Sequence, residues 1–126
     1  MKNILIVDDD VNTSLKYKKW LEDEGFNLTL INDPSLAELN FKSDNYDLIL
    51  IGFKMSVIDG FNLYNKINEI TKVEHTPKEF RVCFMTSSVI NYKVLAEIHP
   101  EIGEECYVSK EVPKEVFIKH VYLLIS

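Results

Sequence analysis

The sequence has 126 residues, of which 46% are hydrophobic and 27% are charged, and its formal net charge is −6. This length and balance predict one globular domain over residues 1–126 with a single core. An acidic chain lacks the basic footprint that nucleic-acid phosphates require, and its apolar runs are far shorter than the roughly 20 residues that cross a bilayer. These features argue against nucleic-acid binding and a membrane span, and they favour a cytoplasmic protein.

The first part of the chain alternates short apolar runs with helical patterns. Residues 4–7 predict a buried parallel strand, and the helix after it begins near Asn12 and ends near Gly25. Residues 26–31 alternate in the manner of a strand near the edge of a sheet. Asp33 then opens a short second helix. The pattern is that of two β/α units in succession.

Residues 46–53 form the most hydrophobic strand candidate in the chain. A run that is apolar on both faces belongs at the centre of a parallel sheet. The dipeptide Asp59-Gly60 marks a turn, and beyond it Leu63 and Ile67 recur at helical spacing. A third β/α unit follows from this pattern.

The last part of the chain contains two further units. Residues 80–85 predict a fourth strand, and a fourth helix is expected within residues 90–98, because Pro100 removes a backbone donor and ends it. Residues 106–109 predict a fifth strand, and residues 113–125 predict a fifth helix with proline in its first turn. Five alternating units indicate an α/β protein whose parallel sheet is covered on both faces.

Polar residues follow several of the predicted strands. The carboxyl ends of parallel strands meet at one edge of the sheet, where α/β proteins place their sites. We therefore expect four groups to lie together there: Asp8, Asp9 and Asp10 after strand one, Gly52 after strand three, Thr86 and Ser87 after strand four, and Lys110 after strand five.

Several motifs together resemble the receiver domain of two-component response regulators. They are Asp8-Asp9, the stretch from Asp47 to Gly60 with Lys54-Met55 and Asp59-Gly60, Thr86, and Tyr107-x-x-Lys110. The resemblance covers essentially the whole chain. It implies a doubly wound, five-stranded parallel sheet in the order 2-1-3-4-5 with five helices, which is the flavodoxin-like receiver fold.

The resemblance also implies a role for each matching residue. The acidic pair Asp8 and Asp9, with the backbone carbonyl of Lys54, matches the ligands of Mg²⁺, which prefers hard oxygen donors. Lys110 matches the lysine that contacts the phosphoryl group. Thr86 matches the hydroxyl residue that moves toward the phosphate, with Ser87 beside it, and Tyr107 matches the aromatic switch that moves inward at the same time.

Position 52 breaks this pattern, because a receiver carries its phosphoacceptor aspartate there and this chain has glycine. Glycine has no nucleophile, so the covalent step cannot occur at Gly52. One metal ligand is also lost, and any Mg²⁺ site should be weakened, although the carboxylates could still pair with Lys110. A structural alternative is that the end of the strand needs room or an unusual backbone angle.

Our leading hypothesis is a degenerate, non-enzymatic receiver that acts through protein interaction. Its expected partner is a signalling protein, either a histidine kinase or a downstream effector, or a second copy of the chain. The resemblance implies a contact face on the fourth helix, fifth strand and fifth helix, with Tyr92, Tyr107, Lys114 and Lys119. We expect no DNA-binding or enzymatic output domain within residues 1–126.

Two alternatives come from other functional classes. A haloacid dehalogenase-type phosphatase would use Asp8 as nucleophile and Asp10 as acid and base, with Thr86 and Lys110 in support. That family needs acidic metal ligands late in the chain, and no aspartate follows Asp59. A flavodoxin-like flavin carrier would need a phosphate-cradling loop after strand one, where three aspartates would repel a phosphate.

Overall fold

Strands and helices alternate along the chain in a computed structural model that describes residues 2–41, 45–55, 58–73, 79–87, 97, 99–100 and 102–125. The elements are β1 Asn3–Val7, α1 Val11–Asp23, β2 Asn27–Ile31, α2 Pro34–Asn40, β3 Leu48–Gly52, α3 Gly60–Val73, β4 Arg81–Thr86, β5 Tyr107–Ser109 and α4 Lys114–Ile125. Helix α4 is the predicted fifth helix. The helix predicted within residues 90–98, with Tyr92, falls outside the described residues except at Glu97.

All five strands form one parallel sheet in the order β2-β1-β3-β4-β5, which confirms the expected topology. Val7 at the end of β1 is level with Ile51 of β3, and Gly52 is level with Met85 of β4. Thr86 is in turn level with Ser109 of β5. The strands therefore finish side by side, and the residues that follow them share one edge.

Short polar side chains set the ends of the helices. Asp10 caps α1 by accepting from the backbone N–H of Thr13 at 3.2 Å, and Asp33 caps α2 in the same way. Gly25 follows α1 with φ of 92°, a left-handed conformation that glycine adopts without strain. Among the described residues, no helix combines the length and hydropathy needed to cross a membrane.

Two apolar layers enclose the sheet, and the alternation of side chains along β3 assigns each residue to one of them. Ile49 and Ile51 pack on the side of α3, whereas Leu48 and Leu50 pack on the side of α1 and α4. All four are fully buried, which explains why this strand is apolar throughout. The site at the end of β3 consequently follows a fully buried strand.

The two leucines of helix α2 do not face the core. The helix runs through Leu36 and Leu39, but these side chains are 47% and 78% exposed. Ala37 and Phe41 are the residues that bury against the sheet. With only two turns, the helix places few positions on the face that packs against the sheet. Ala37, which has a small side chain, is one of them.

Replacing Leu50 should test how much the central strand contributes to stability. We expect Leu50→Ala to lower the free energy of unfolding by about 2–5 kcal/mol, because it leaves a cavity in a fully buried position. Leu39→Ala, the same substitution on an exposed helix surface, should change it by less than about 0.5 kcal/mol. Urea unfolding followed by circular dichroism measures both, and equal losses would contradict this assignment of the core.

Candidate functional site at the strand ends

The Asp8 side chain lies at the centre of the shared edge, directly after β1, and is completely buried. One carboxylate oxygen, Oδ1, accepts a hydrogen bond from the backbone N–H of Asp10 at 3.0 Å. The other, Oδ2, lies 2.7 Å from the ammonium nitrogen of Lys110. Oδ1 is therefore hydrogen-bonded, whereas Oδ2 makes an ion pair with Lys110 and accepts no hydrogen bond from the described part of the chain.

Gly52 ends β3 immediately beside that carboxylate. A Cβ atom added at position 52 would lie 2.9 Å from both Cγ and Oδ1 of Asp8 and 3.1 Å from its Oδ2. Among the described glycines only Gly25 has a positive φ, so the backbone angle at position 52 is one that any residue adopts. Of the two structural alternatives for this glycine, the close approach of Asp8 is consistent with a need for room, and the backbone angle does not require glycine.

Lys110 is held in place through its own backbone. Its N–H donates to the carbonyl of Thr86 at 2.7 Å, and its carbonyl accepts from the Tyr17 hydroxyl at 3.0 Å. Burial and the nearby charge of Asp8 raise the pKa of Tyr17, so its phenol stays protonated and donates. With these two contacts the lysine backbone is anchored to β4 and α1, while its side chain reaches Asp8.

Two residues that sequence reasoning missed support Asp8 from the side of β2. The Asn32 amide donates to the Asp8 carbonyl at 2.7 Å and to the Ser14 hydroxyl at 2.9 Å, and the Ser14 hydroxyl in turn donates to the carbonyl of Asp10 at 2.9 Å. Asn32 directly follows β2 and so belongs to the same edge. Its place after a predicted strand was the signal that would have found it.

The proposed switch residues are both buried. Thr86 is 1% exposed, and its hydroxyl donates to the carbonyl of Val108 at 3.4 Å. The Tyr107 ring is 5% exposed and packs against Phe84 and Phe61, with ring centroids 5.7 and 6.4 Å away. In this arrangement the Tyr107 side chain is buried.

Comparison with known proteins identifies the family. The sequence model of the response regulator receiver domain matches residues 4–122. The chain belongs to this family. Curated relatives include the 3′,5′-cyclic-nucleotide phosphodiesterase regA of Dictyostelium discoideum, 29% identical over 120 residues, which are 94% of this chain and 14% of that protein. The transcriptional regulatory protein RprY of Bacteroides fragilis (strain YCH46) is 24% identical over 112 residues, which are 89% of this chain and 44% of that protein.

Solved structures support the same fold. The non-phosphorylated HemR receiver domain from Leptospira biflexa superposes with a TM-score of 0.77 at 22% identity, covering 100% of this chain and 95% of that one. A two-component response regulator from Clostridium difficile gives a TM-score of 0.77 at 25% identity, covering 98% and 95%. The chain thus spans nearly all of these two structures, but less than half of the curated relatives named above.

The ligand set that the family implies for Mg²⁺ is incomplete in this receiver domain. Asp9 is half-buried and Lys54 is exposed, but both Asp8 oxygens are already engaged by Asp10 and Lys110, and Gly52 offers no oxygen from a side chain. Within the described part of the chain, no three acidic, histidine or cysteine side chains are grouped to hold a metal ion. Mg²⁺ demands near-octahedral oxygen coordination, and Gly52 contributes no side-chain oxygen to it.

The residues of the predicted contact face differ in their exposure to solvent. Lys114 and Lys119 are exposed on α4, and Ser87 is exposed after β4. Tyr107 belongs to the apolar core instead, because Phe84 and Phe61 cover its ring. As a contact residue Tyr107 therefore offers little surface in this arrangement.

Removing the Lys110 charge should destabilise the receiver domain more than removing an exposed lysine does. We expect Lys110→Met to cost about 3 kcal/mol of unfolding free energy, because it strands the buried carboxylate of Asp8. The control is Lys18→Met, which breaks a surface pair with Glu22 and should cost about 0.3–0.5 kcal/mol. Urea unfolding at neutral pH measures both, and a similar loss in the two variants would contradict the assignment.

The N-cap of α1 should give stability a specific dependence on pH. The hydrogen bonds from Thr13 hold the pKa of Asp10 below its usual value of 3.8, so its contribution is complete above that pH and is lost as the pH falls through the lower, folded value. Asp10→Ala should cost about 1 kcal/mol at neutral pH. Asp10→Asn should keep the cap but lose this acid dependence, as measured by urea unfolding between neutral pH and pH 3.

Proposed function

We propose that this receiver domain is a pseudo-receiver, which takes no phosphoryl group at position 52 and works in two-component signalling through protein interaction. The observation that carries the proposal is the closed strand edge. Gly52 lacks the acceptor, and the Asp8 carboxylate occupies the space where a side chain at that position would begin. A nucleophile is therefore missing, and the room for one is filled.

Receiver domains interact with histidine kinases or effectors, and we propose a partner of this kind, or a second copy of the chain. The proposed contact surface is α4 with the end of β5, where Lys114 and Lys119 are exposed. We assign residues 1–126 to one receiver domain, and we propose that it acts in the cytoplasm. Free thiols at Cys83 and Cys106 are compatible with a reducing compartment.

The proposal is non-catalytic, and Mg²⁺ has at most a weak role in it. The phosphatase alternative would need Asp8 as an exposed nucleophile, but its carboxylate is buried and paired with Lys110. Asp10 caps α1 in this structure and so already has a structural role. The phosphodiesterase name of one relative belongs to a protein of which this chain covers 14%, so it does not bear on this domain.

Intact-mass analysis after incubation with acetyl phosphate and Mg²⁺ tests the proposal. We expect no phosphoryl adduct on the unaltered chain, because Gly52 has no nucleophile. Gly52→Asp should take up the phosphoryl group only when Mg²⁺ is present, since a third carboxylate beside Asp8 and Asp9 needs a cation to neutralise it.

An adduct on the unaltered chain would overturn the proposal, and peptide mapping would then locate the substitute acceptor. Gly52→Ala is the matched control, because it adds side-chain volume at the same position without a nucleophile. An adduct on both variants would show that the reagent modifies some other residue.

A further inference from the structure

We propose that the buried pair of Asp8 and Lys110 is an internal lock that replaces the metal ion and the phosphoryl group of an active receiver. Asp8 occupies the volume of the missing side chain, and its charge holds Lys110 and thereby keeps Tyr107 buried. The inference rests on the proposed function, since it describes how a receiver without an acceptor holds its conformation.

The first step of the argument is spatial. A Cβ at position 52 would approach Asp8 Cγ to 2.9 Å, a distance that ordinary packing does not permit. The Asp8 side chain is short, and its Oδ1 is tied to the N–H of Asp10, so it has little freedom to yield. The observed position of Asp8 is therefore available only because residue 52 is glycine.

The second step is electrostatic. The Asp8 carboxylate is completely buried, and an unpaired charge in such a place is strongly unfavourable. Lys110 lies 2.7 Å away with a side chain that is 21% exposed, whereas the pair of Lys18 and Glu22 on α1 is 34% and 47% exposed at 3.1 Å. Water screens the surface pair but is excluded from the carboxylate at the strand edge, so the inner pair holds its two residues much more firmly.

The third step connects the pair to the aromatic switch. Lys110 is the first residue after β5, and its N–H donates to the Thr86 carbonyl at the end of β4. Tyr107, three residues before Lys110, is level with Phe84 and packs against its ring. Holding Lys110 against Asp8 thus keeps the end of β5 joined to β4, which is the pairing that keeps the Tyr107 ring inside.

Hydrogen exchange and NMR of the full chain test the lock in three variants. Asp8→Asn keeps the shape of the side chain and removes its charge, Lys110→Met removes the other partner, and Lys18→Met is the surface control. We expect the backbone amide of residue 110 to exchange at least tenfold faster in the first two variants, with the Tyr107 ring signals shifted toward exposed values. The control should match the unaltered chain.

Gly52→Ala provides a test without any change of charge. Alanine fits the backbone angle at this position and would ordinarily be neutral or stabilising, so a faster exchange of the Lys110 amide would come from the methyl group that displaces Asp8. Gly103→Ala is the matched control, since its added Cβ meets only the movable side chain of Glu105. We expect at least a tenfold increase in the first variant and less than twofold in the control.

Unchanged exchange of the Lys110 amide in Gly52→Ala would overturn the lock, as would a Tyr107 ring that stays buried in every folded variant lacking the pair. If Asp8→Asn or Lys110→Met fails to fold, the comparison of Gly52→Ala with Gly103→Ala still decides. None of these measurements uses phosphate or a partner. Failure of the lock is therefore distinguishable from failure of the proposed function, which a phosphoryl adduct on the unaltered chain would reveal.

Discussion

A fully buried carboxylate requires a positive charge beside it, and in this receiver domain that requirement organises the functional edge. Asp8 is completely buried and its partner is Lys110, which follows the strand at the far side of the sheet from β2. Asp8 follows β1 and Lys110 follows β5, and β3 and β4 lie between these two strands in the sheet. Removing either partner leaves an uncompensated charge, whereas adding bulk at Gly52 pushes the carboxylate away from the lysine.

The scaffold of the family is retained, while position 52 at its functional edge carries glycine. The parallel sheet still brings Asp8, Gly52, Thr86 and Lys110 to one edge, because parallel strands end together. In an active receiver this edge would hold a metal ion and accept a phosphoryl group. Here the charge of Asp8 is balanced by the protein itself, so the fold alone does not imply the family's reaction.

Much of the architecture was predictable from the sequence, and the errors have local causes. The five strands and the four described helices follow from apolar runs and turn residues, whereas the strand order came from the resemblance to the receiver family. The boundaries are displaced by one or two residues, as where β3 begins at Leu48 instead of residue 46. Leu39 is apolar but exposed, because a helix of two turns places few positions against the sheet. Asn32 was missed as a support for Asp8, because its role depends on a contact across 24 residues of sequence.

The sequence by itself determined the family, the α/β fold and the loss of the nucleophile, since each depends on the kinds of residues and their order along the chain. It also indicated that a carboxylate was able to pair with Lys110. Only the tertiary structure decided that Asp8 forms this pair, that its carboxylate takes the space beside Gly52, and that Tyr107 lies in the core. These outcomes depend on distances between strands that are remote in sequence, and no local pattern of residues encodes such distances.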